Sequence, residues 1–296
     1  MRYGFVTCVR LGKACIEEIL GSDSQIHILM TLRDDRAKHK SGRVYLDDLA
    51  EQHKIPLHKV DNINDPEAIQ TLQRADLDWL FIIGWSQIAR AEVLSSARRG
   101  VLGMHPTLLP VGRGRASIPW AILKGLSQTG VSLFRLDEGV DTGPVLAQQV
   151  IDIDSDETAG TLYDKALEAH LSLLRGVWPK LEDGSVEERR QDDSKATDWP
   201  GRCSEDGQIL LESMSVEEVD RLVRATTRPY PGAFVRQRDG STLRVWSGGP
   251  STDPSEGIEL QLADGSYTVH SCDVESVPEL ITRSPTPAAS VAGGTE

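Results

Sequence analysis

A histidine in a loop rich in glycine and proline is the first feature of this sequence that could do chemistry. His105 lies in the run GMHPTLLPVGRGRASIPWAILKG, residues 103–125, where a predicted strand ends and a predicted helix begins. Ligands of open α/β sheets bind beyond the carboxyl ends of the strands, so this imidazole lies at the expected mouth of a site. Pro110, Gly112 and Gly114 would stiffen or bend the loop. The position therefore predicts a functional histidine.

A second candidate is the acidic loop LDEGVDTGPV, residues 136–145, which holds three carboxylates and two glycines between two predicted strands. Because Asp and Gly are common turn residues, a solvated hairpin loop is one interpretation. The other is a carboxylate beside His105, which would raise the basicity of the imidazole and fix its tautomer. Pairing the two segments favours acid–base chemistry. No metal is expected, since no cluster has ligand spacing.

Two arginines, Arg113 and Arg115, flank Gly114 close to His105. They are either exposed loop residues or ligands for a phosphate or carboxylate, to which the planar guanidinium is suited. The sequence leaves both interpretations open.

The elements that position these residues alternate short β-rich runs with amphipathic helices, as in a parallel sheet wrapped by helices. This pattern predicts an α/β fold with a doubly wound, Rossmann-like sheet. Predicted strands cover residues 3–9, 27–32, 57–59, 79–83, 100–104, 130–135 and 145–152. Predicted helices cover residues 13–20, 43–52, 66–74, 90–96, 118–124 and 158–181.

The second part of the chain predicts a small β domain. Residues 1–182 form the predicted first domain, and residues 183–200 are charged and small enough to indicate a solvated linker. A helix over 216–226 and strands over 233–238, 243–247, 258–262 and 266–271 then predict an OB-like domain over 201–283. The tail, 284–296, lacks apolar periodicity and is expected to be disordered.

Composition limits the classes of function. The chain has 296 residues with 39% apolar and 26% charged, as in an ordinary globular protein with more than one domain. Its net charge of −13 argues against a broad electrostatic grip on nucleic acid and favours a small-molecule substrate. Four scattered cysteines, no signal peptide and no run of eighteen apolar residues predict a cytoplasmic protein with no membrane span.

Several of these motifs together resemble a known family, the 10-formyltetrahydrofolate-dependent formyltransferases. The resemblance rests on HPTLLP, RGRASIPWAILKG and TGVSLFRLDEGVDTGPVLAQQ, and it continues at VDNINDP and RATTRPYPGAF. It spans nearly the whole chain up to about Arg283. The family includes methionyl-tRNA, glycinamide ribonucleotide and sugar N-formyltransferases, so formyl transfer to an amine is the implied activity.

The resemblance also implies catalytic residues. The family uses an Asn-x-His and an Asp in a DxGxDxG loop, which match His105 and Asp141 here. The asparagine position holds Gly103, and loss of one such oxyanion donor typically costs ~2.7–4 kcal/mol of transition-state stabilisation. Gln87, in the loop after a predicted strand, is the expected replacement donor.

Binding residues are implied in the same way. The pterin of 10-formyltetrahydrofolate is expected against the loops that contain Trp85, Ser86, Gln87, Ile88, Asp137, Glu138, Gly139 and Val140. The amine acceptor is expected near Gly103, Thr107, Arg113 and Arg115.

Three functions remain possible at this stage. The first is a sugar N-formyltransferase acting on a nucleotide-linked amino sugar, favoured by the RGR run, which is similar to YRGR in enzymes of 4-amino-arabinose, and by the short segment 33–48. The second is a methionyl-tRNA formyltransferase, which shares the C-terminal β domain. The third is a non-catalytic folate- or partner-binding module, suggested by Gly103. A homodimer is compatible with all three.

Overall fold

The computed structural model describes residues 1–22, 24–36, 42–251 and 258–276. These residues form thirteen strands: β1 (Tyr3–Val6), β2 (Ile26–Leu32), β3 (Leu57–Val60), β4 (Leu77–Ile83), β5 (Ala97–His105), β6 (Arg113–Gly114), β7 (Gln128–Arg135), β8 (Val145–Asp152), β9 (Asp198–Trp199), β10 (Ala233–Arg236), β11 (Thr242–Pro250), β12 (Ile258–Leu262) and β13 (Gly265–Glu275). The same residues form seven α-helices: α1 (Arg10–Leu20), α2 (Asp47–His53), α3 (Pro66–Arg74), α4 (Ala91–Leu94), α5 (Ser117–Leu123), α6 (Ala159–Asp183) and α7 (Val216–Thr226).

The main sheet has seven strands in the order β3-β2-β1-β4-β5-β7-β8. β1 to β5 pair in parallel, whereas β7 runs antiparallel to β5, and β8 antiparallel to β7. The predicted α/β fold with a doubly wound sheet is therefore confirmed, with an antiparallel extension at one edge. Strand β5 ends at His105, which places the imidazole at the carboxyl edge of the parallel strands.

Helices cover both faces of the main sheet, which explains the unbroken apolar run in β4. Phe81 and Ile83 pack toward α1 and α6, and the rings of Phe81 and Phe5 stack with centroids 4.6 Å apart. Leu80 and Ile82 face the opposite way, against α3 and α4. No helix in the described ranges is both long enough and apolar enough to cross a bilayer.

The predicted C-terminal β domain is also confirmed. Its four antiparallel strands have the order β10-β11-β13-β12, and α7 packs on them through Val219, Leu222 and Val223. Helix α7 begins with a reciprocal capping box between Ser215 and Glu218. Leu123 of α5 contacts the cores beneath both sheets, which joins them.

One predicted helix starts later than expected. Helix α2 begins at Asp47, not at residue 43, because the preceding backbone pairs with the loop after β1. The Val44 amide donates to the Cys8 carbonyl at 3.1 Å, and the Arg43 guanidinium donates to Thr31 Oγ1 at 3.1 Å and the Leu32 carbonyl at 3.0 Å. Hydrogen bonds to these partners hold residues 43 and 44 out of a helix.

The predicted linker packs on the main sheet's loops. β9 pairs with β6 in parallel, Trp199 is buried, and the backbones of Val145 and Arg189 exchange two hydrogen bonds of 2.8 Å. The charged composition of residues 183–200 concealed this contact, since Trp199 is the one buried residue among them. The predicted tail, 284–296, lies outside the described residues.

A buried histidine in α6 makes stability depend on pH. His170 donates Nδ1–H to the Ala166 carbonyl at 2.6 Å, and burial, with a smaller contribution from nearby His105, lowers its pKa from 6.5 to about 4. Below pH 6.5 the unfolded chain binds a proton that the folded chain excludes. The wild type should therefore lose roughly 2 kcal/mol of unfolding free energy between pH 7 and pH 5 through this residue.

Urea unfolding of wild type and His170→Gln at both pH values measures this contribution. The variant should be less sensitive to acid by that amount. An identical pH dependence in the two proteins would show that His170 does not cause it.

Candidate active site

A cavity of about 470 Å³ opens beyond the carboxyl ends of β4 and β5. Three segments bound it: the loop after β4, the turn into α5, and the acidic loop after β7. Its lining includes Trp85, Ser86, Gln87, Ile88, Gly103, His105, Arg115, Ser117, Leu136, Asp137, Gly139, Val140 and Asp141. The structure thus brings both motifs of the sequence analysis to one cleft.

His105 and Asp141 face each other in this cleft. His105 Nδ1 lies 3.5 Å from Asp141 Oδ2, and their side chains are 10% and 18% exposed. His105 Nε2 lies 2.8 Å from the Gly112 carbonyl oxygen. Because a carbonyl only accepts, Nε2 must carry the hydrogen, and Nδ1 of the neutral ring is then an open lone pair beside the carboxylate. The pair can therefore receive one proton between Nδ1 and Oδ2.

Asp141 is held in a backbone conformation that few side chains adopt. Its φ is 55°, and its Oδ2 accepts from the Gly114 amide at 2.8 Å. The side-chain amide of Gln191, in the predicted linker, donates to the Asp141 carbonyl at 2.8 Å and to the Gly143 carbonyl at 2.7 Å. Several independent bonds thus stabilise a strained position, as is common at functional sites.

Gly114 requires its lack of a side chain. Its φ is 112°, and a Cβ there would lie 2.4 Å from the Trp199 carbonyl oxygen. The close approach lets β6 pair with β9 while the Gly114 amide reaches Asp141. Gln191 and Trp199 are site-supporting residues that the sequence analysis missed. In the sequence, the one signal for this contact was a tryptophan, Trp199, at the end of a charged run.

Gly103 leaves no vacant space in the cleft. An ideal Cβ on Gly103 would lie 2.7 Å from Leu136 Cδ2 and 3.2 Å from Phe134 Cε1. The φ of Gly103 is not positive, so the backbone conformation at this position does not require glycine. Leu136 instead occupies the volume that a side chain at position 103 would enter.

Gln87 lines the cavity, but its amide bonds to the chain before α3. Oε1 accepts from the Ile63 amide at 2.9 Å, and Nε2 donates to the Asp61 carbonyl at 2.9 Å. Asn64 holds the same loop through the Ile88 carbonyl and the Arg90 amide, each at 2.9 Å. The geometry gives Gln87 a role in fixing the loop after β4. These two bonds use the amide oxygen and one amide hydrogen, so they favour that role over the predicted one as replacement oxyanion donor.

The other predicted residues divide between the cavity and its surroundings. Arg115 lines the cavity, whereas Arg113 is buried and donates to Gln191 Oε1 at 2.9 Å and Asp193 Oδ1 at 2.7 Å. Thr107 is also buried, and neither it nor the exposed Glu138 is part of the lining. Within the described ranges, no group of three or more histidine, cysteine or carboxylate side chains could hold a metal ion.

Comparison with known proteins identifies the family of this chain. Residues 31–177 match the family model of formyl transferase, and residues 203–274 match that of the formyl transferase C-terminal domain. The chain therefore belongs to the formyl transferase family, as the sequence motifs predicted.

Solved structures share the fold. HypX from Aquifex aeolicus in complex with tetrahydrofolic acid is 18% identical with a TM-score of 0.65; the match covers 92% of this chain and 44% of HypX, so this chain spans less than half of that protein. A sugar N-formyltransferase from Shewanella sp is 15% identical over 86% of this chain and 99% of its own, with a TM-score of 0.68. Methionyl-tRNA formyltransferase from Clostridium thermocellum is 16% identical over 93% and 100%, with a TM-score of 0.63.

Proposed function

We propose that this enzyme takes the formyl group of 10-formyltetrahydrofolate and transfers it to a primary amine of a small, phosphorylated molecule. The observation that carries the proposal is the His105–Asp141 pair at the edge of the cavity, 3.5 Å apart and mostly shielded from water. The fold shared with HypX, whose structure contains tetrahydrofolic acid, supports a folate as the donor.

The cavity suits a flat aromatic ring with a polar edge. Ile88 and Val140 are exposed apolar side chains on opposite sides of it, and Phe134 and Leu136 lie deeper. Backbone amides and carbonyls of the loops after β4 and β7 would bind the ring edge, and bound folate would supply the activated formyl carbon. Gln87 serves this site by holding the first of those loops in place.

The amine must lose a proton as it attacks, and the His105–Asp141 pair can accept it. In the neutral ring Nδ1 is unprotonated, so a proton arriving there forms an imidazolium directly beside the Asp141 carboxylate. This ion pair is favourable because both groups are already desolvated and oriented, and little reorganisation is needed during the reaction. Gly112, by accepting from Nε2, keeps the ring in the required tautomer.

A basic cluster next to the cavity indicates the class of acceptor. Arg202 and Lys124 both lie near the indole ring of Trp120. The Arg202 guanidinium carbon is 5.1 Å from the ring centroid, and Lys124 Nζ is 5.5 Å from it. Arg115 lies close by, since a Cβ on Gly201 would be 3.5 Å from its Cδ. None of these three cations forms an ion pair with a carboxylate among the described residues. A phosphate or diphosphate on the acceptor would supply the missing charge.

Partial burial makes Arg202 receptive to an anion. Desolvation lowers the pKa of the Arg202 guanidinium, although Asp206 partly offsets the effect. An anion bound beside Arg202 would compensate the loss of water around it. Nucleotide-linked amino sugars combine an amine with such a diphosphate, which makes them the proposed substrate class.

Methionyl-tRNA is the second candidate, because the match to the tRNA formyltransferase of C. thermocellum covers 93% of this chain and 100% of that enzyme. The charge of the proposed C-terminal domain argues against it. Residues 201–283 contain eight arginines, no lysine and fourteen acidic residues, a formal charge of −6. A surface with this balance would repel a polyphosphate backbone.

Calorimetric titration tests donor and acceptor separately. The protein should bind tetrahydrofolate, and in a separate titration it should bind UDP. Arg202→Gln should weaken UDP binding roughly tenfold and leave tetrahydrofolate binding unchanged. Arg238→Gln, at an exposed arginine in the turn between β10 and β11, is the matched control. Failure to bind tetrahydrofolate would reject the donor, and UDP binding that is insensitive to Arg202 would reject the proposed acceptor site.

A further inference from the structure

Ser117, like Asp141, is a polar side chain in contact with the His105 ring. It is the first residue of α5, lines the same cavity as His105 and Gly103, and is only 6% exposed. Its Oγ lies 3.3 Å from His105 Nε2. The hydroxyl is therefore fixed at the point where the cavity meets the imidazole.

The hydrogen of this hydroxyl has no acceptor in the described protein. His105 Nε2 already carries a hydrogen, which it gives to the Gly112 carbonyl at 2.8 Å, so Nε2 cannot accept from Ser117. The contact with Nε2 is the one side-chain hydrogen bond found for Ser117 Oγ in that part of the chain. A buried hydroxyl that accepts but has no partner for its own hydrogen is available to donate to a bound ligand.

Position 103 offers no such donor. Gly103 has no side chain, Leu136 fills the adjacent volume, and the Gln87 amide is bonded to Asp61 and Ile63. Asp137 and Asp141 accept hydrogen bonds when ionised, so they cannot stabilise a developing negative charge. The Ser117 hydroxyl is thus a neutral hydrogen-bond donor in the cavity, in contact with the His105 ring.

Resting on the proposed function, we propose that Ser117 donates its hydroxyl hydrogen to the formyl oxygen during transfer. The amine nitrogen forms a bond to the formyl carbon, and the π electrons of the carbonyl move to oxygen, where Ser117 donates. One amine proton passes to His105 Nδ1. The electrons on oxygen then re-form the carbonyl as the carbon–N10 bond breaks, N10 takes up the proton held by His105, and tetrahydrofolate leaves. Ser117 thus supplies the oxyanion contact that Gly103 lacks.

A binding experiment tests the contact without turnover. A folate analogue with a stable N10-formyl group is titrated beside the same analogue without it. Ser117→Ala should weaken binding of the formylated analogue by about threefold to tenfold and leave the other unchanged. The infrared carbonyl stretch of a ¹³C-labelled formyl group should move to higher frequency in the variant, because a hydrogen bond is lost. Ser95→Ala, a surface serine bonded to the Glu92 carbonyl, is the control.

Turnover gives the second measurement. Hydrolysis of 10-formyltetrahydrofolate to formate needs no amine acceptor, and its tetrahedral intermediate carries negative charge on the same formyl oxygen. Ser117→Ala should slow it by roughly 10²–10³-fold. An active wild type with unchanged analogue binding, carbonyl frequency and rate in Ser117→Ala would overturn this inference alone. A wild type that binds neither folate analogue and releases no formate would overturn the proposed function as well.

Discussion

Replacing His105 by glutamine is expected to lower the rate of formyl transfer by roughly 10²–10⁴-fold, as is Asp141→Asn. Glutamine at position 105 can still donate to the Gly112 carbonyl but has no basic nitrogen to receive the amine proton. Asparagine at position 141 can still accept from the Gly114 amide, yet it carries no charge to stabilise an imidazolium. Single-turnover rates with saturating folate measure both losses.

The two residues should act as one unit. The double variant is therefore expected to be about as slow as either single variant, since each removes the same proton acceptor. His53→Gln, at the exposed end of α2, is the control for a general effect of losing a histidine. Near-normal rates in either single variant, with cooperative thermal unfolding retained, would remove that residue from the proposed mechanism.

Gly103→Asn is expected to destabilise the protein by about 1–3 kcal/mol without raising its rate. The reason is steric, because the new Cβ would approach Leu136 Cδ2 to 2.7 Å and Phe134 Cε1 to 3.2 Å. No penalty from a positive φ is expected at this position. Denaturant unfolding and single-turnover rates of the same preparation measure the two effects.

Leu136→Ala provides the matched test of this steric account. Combined with Gly103→Asn, it should return part of the lost unfolding free energy, because it removes the atom closest to the new side chain. In a Ser117→Ala background the same pair should also recover part of the rate, since a carboxamide donor would then reach the cavity. Equal stability of wild type and Gly103→Asn would show that Leu136 yields freely.

The sequence predicted the site residues that lie next to strand ends. His105 follows a buried apolar strand and Asp141 lies in a turn-forming loop, so local pattern and the geometry of parallel sheets were enough to bring them together. The role of Gln87 was not accessible in this way, because it depends on where residues 61–63 pass in three dimensions. Gln191 was missed for the same reason, since fifty residues separate it from Asp141 and its neighbours in sequence are charged.

The late start of α2 shows the same limit on a smaller scale. Propensity and amphipathic spacing predicted a helix from residue 43, but Arg43 is held by Thr31 and Leu32 of the preceding strand, β2. Tertiary hydrogen bonds outweigh local preference here. Contacts of this kind leave no periodic trace in the chain.

The packing of the linker, residues 183–200, against β6 limits how freely the two domains could be separated. Gly114, Gln191 and Trp199 together fix the backbone around Asp141, so two of the residues that position its carboxylate, Gln191 and Trp199, follow α6. A fragment ending at Asp183 would keep every strand of the main sheet and both reacting side chains, yet lose the bonds that hold one of them. Exchange of C-terminal domains between relatives, in the laboratory or in evolution, would preserve activity only when the junction falls beyond Trp199.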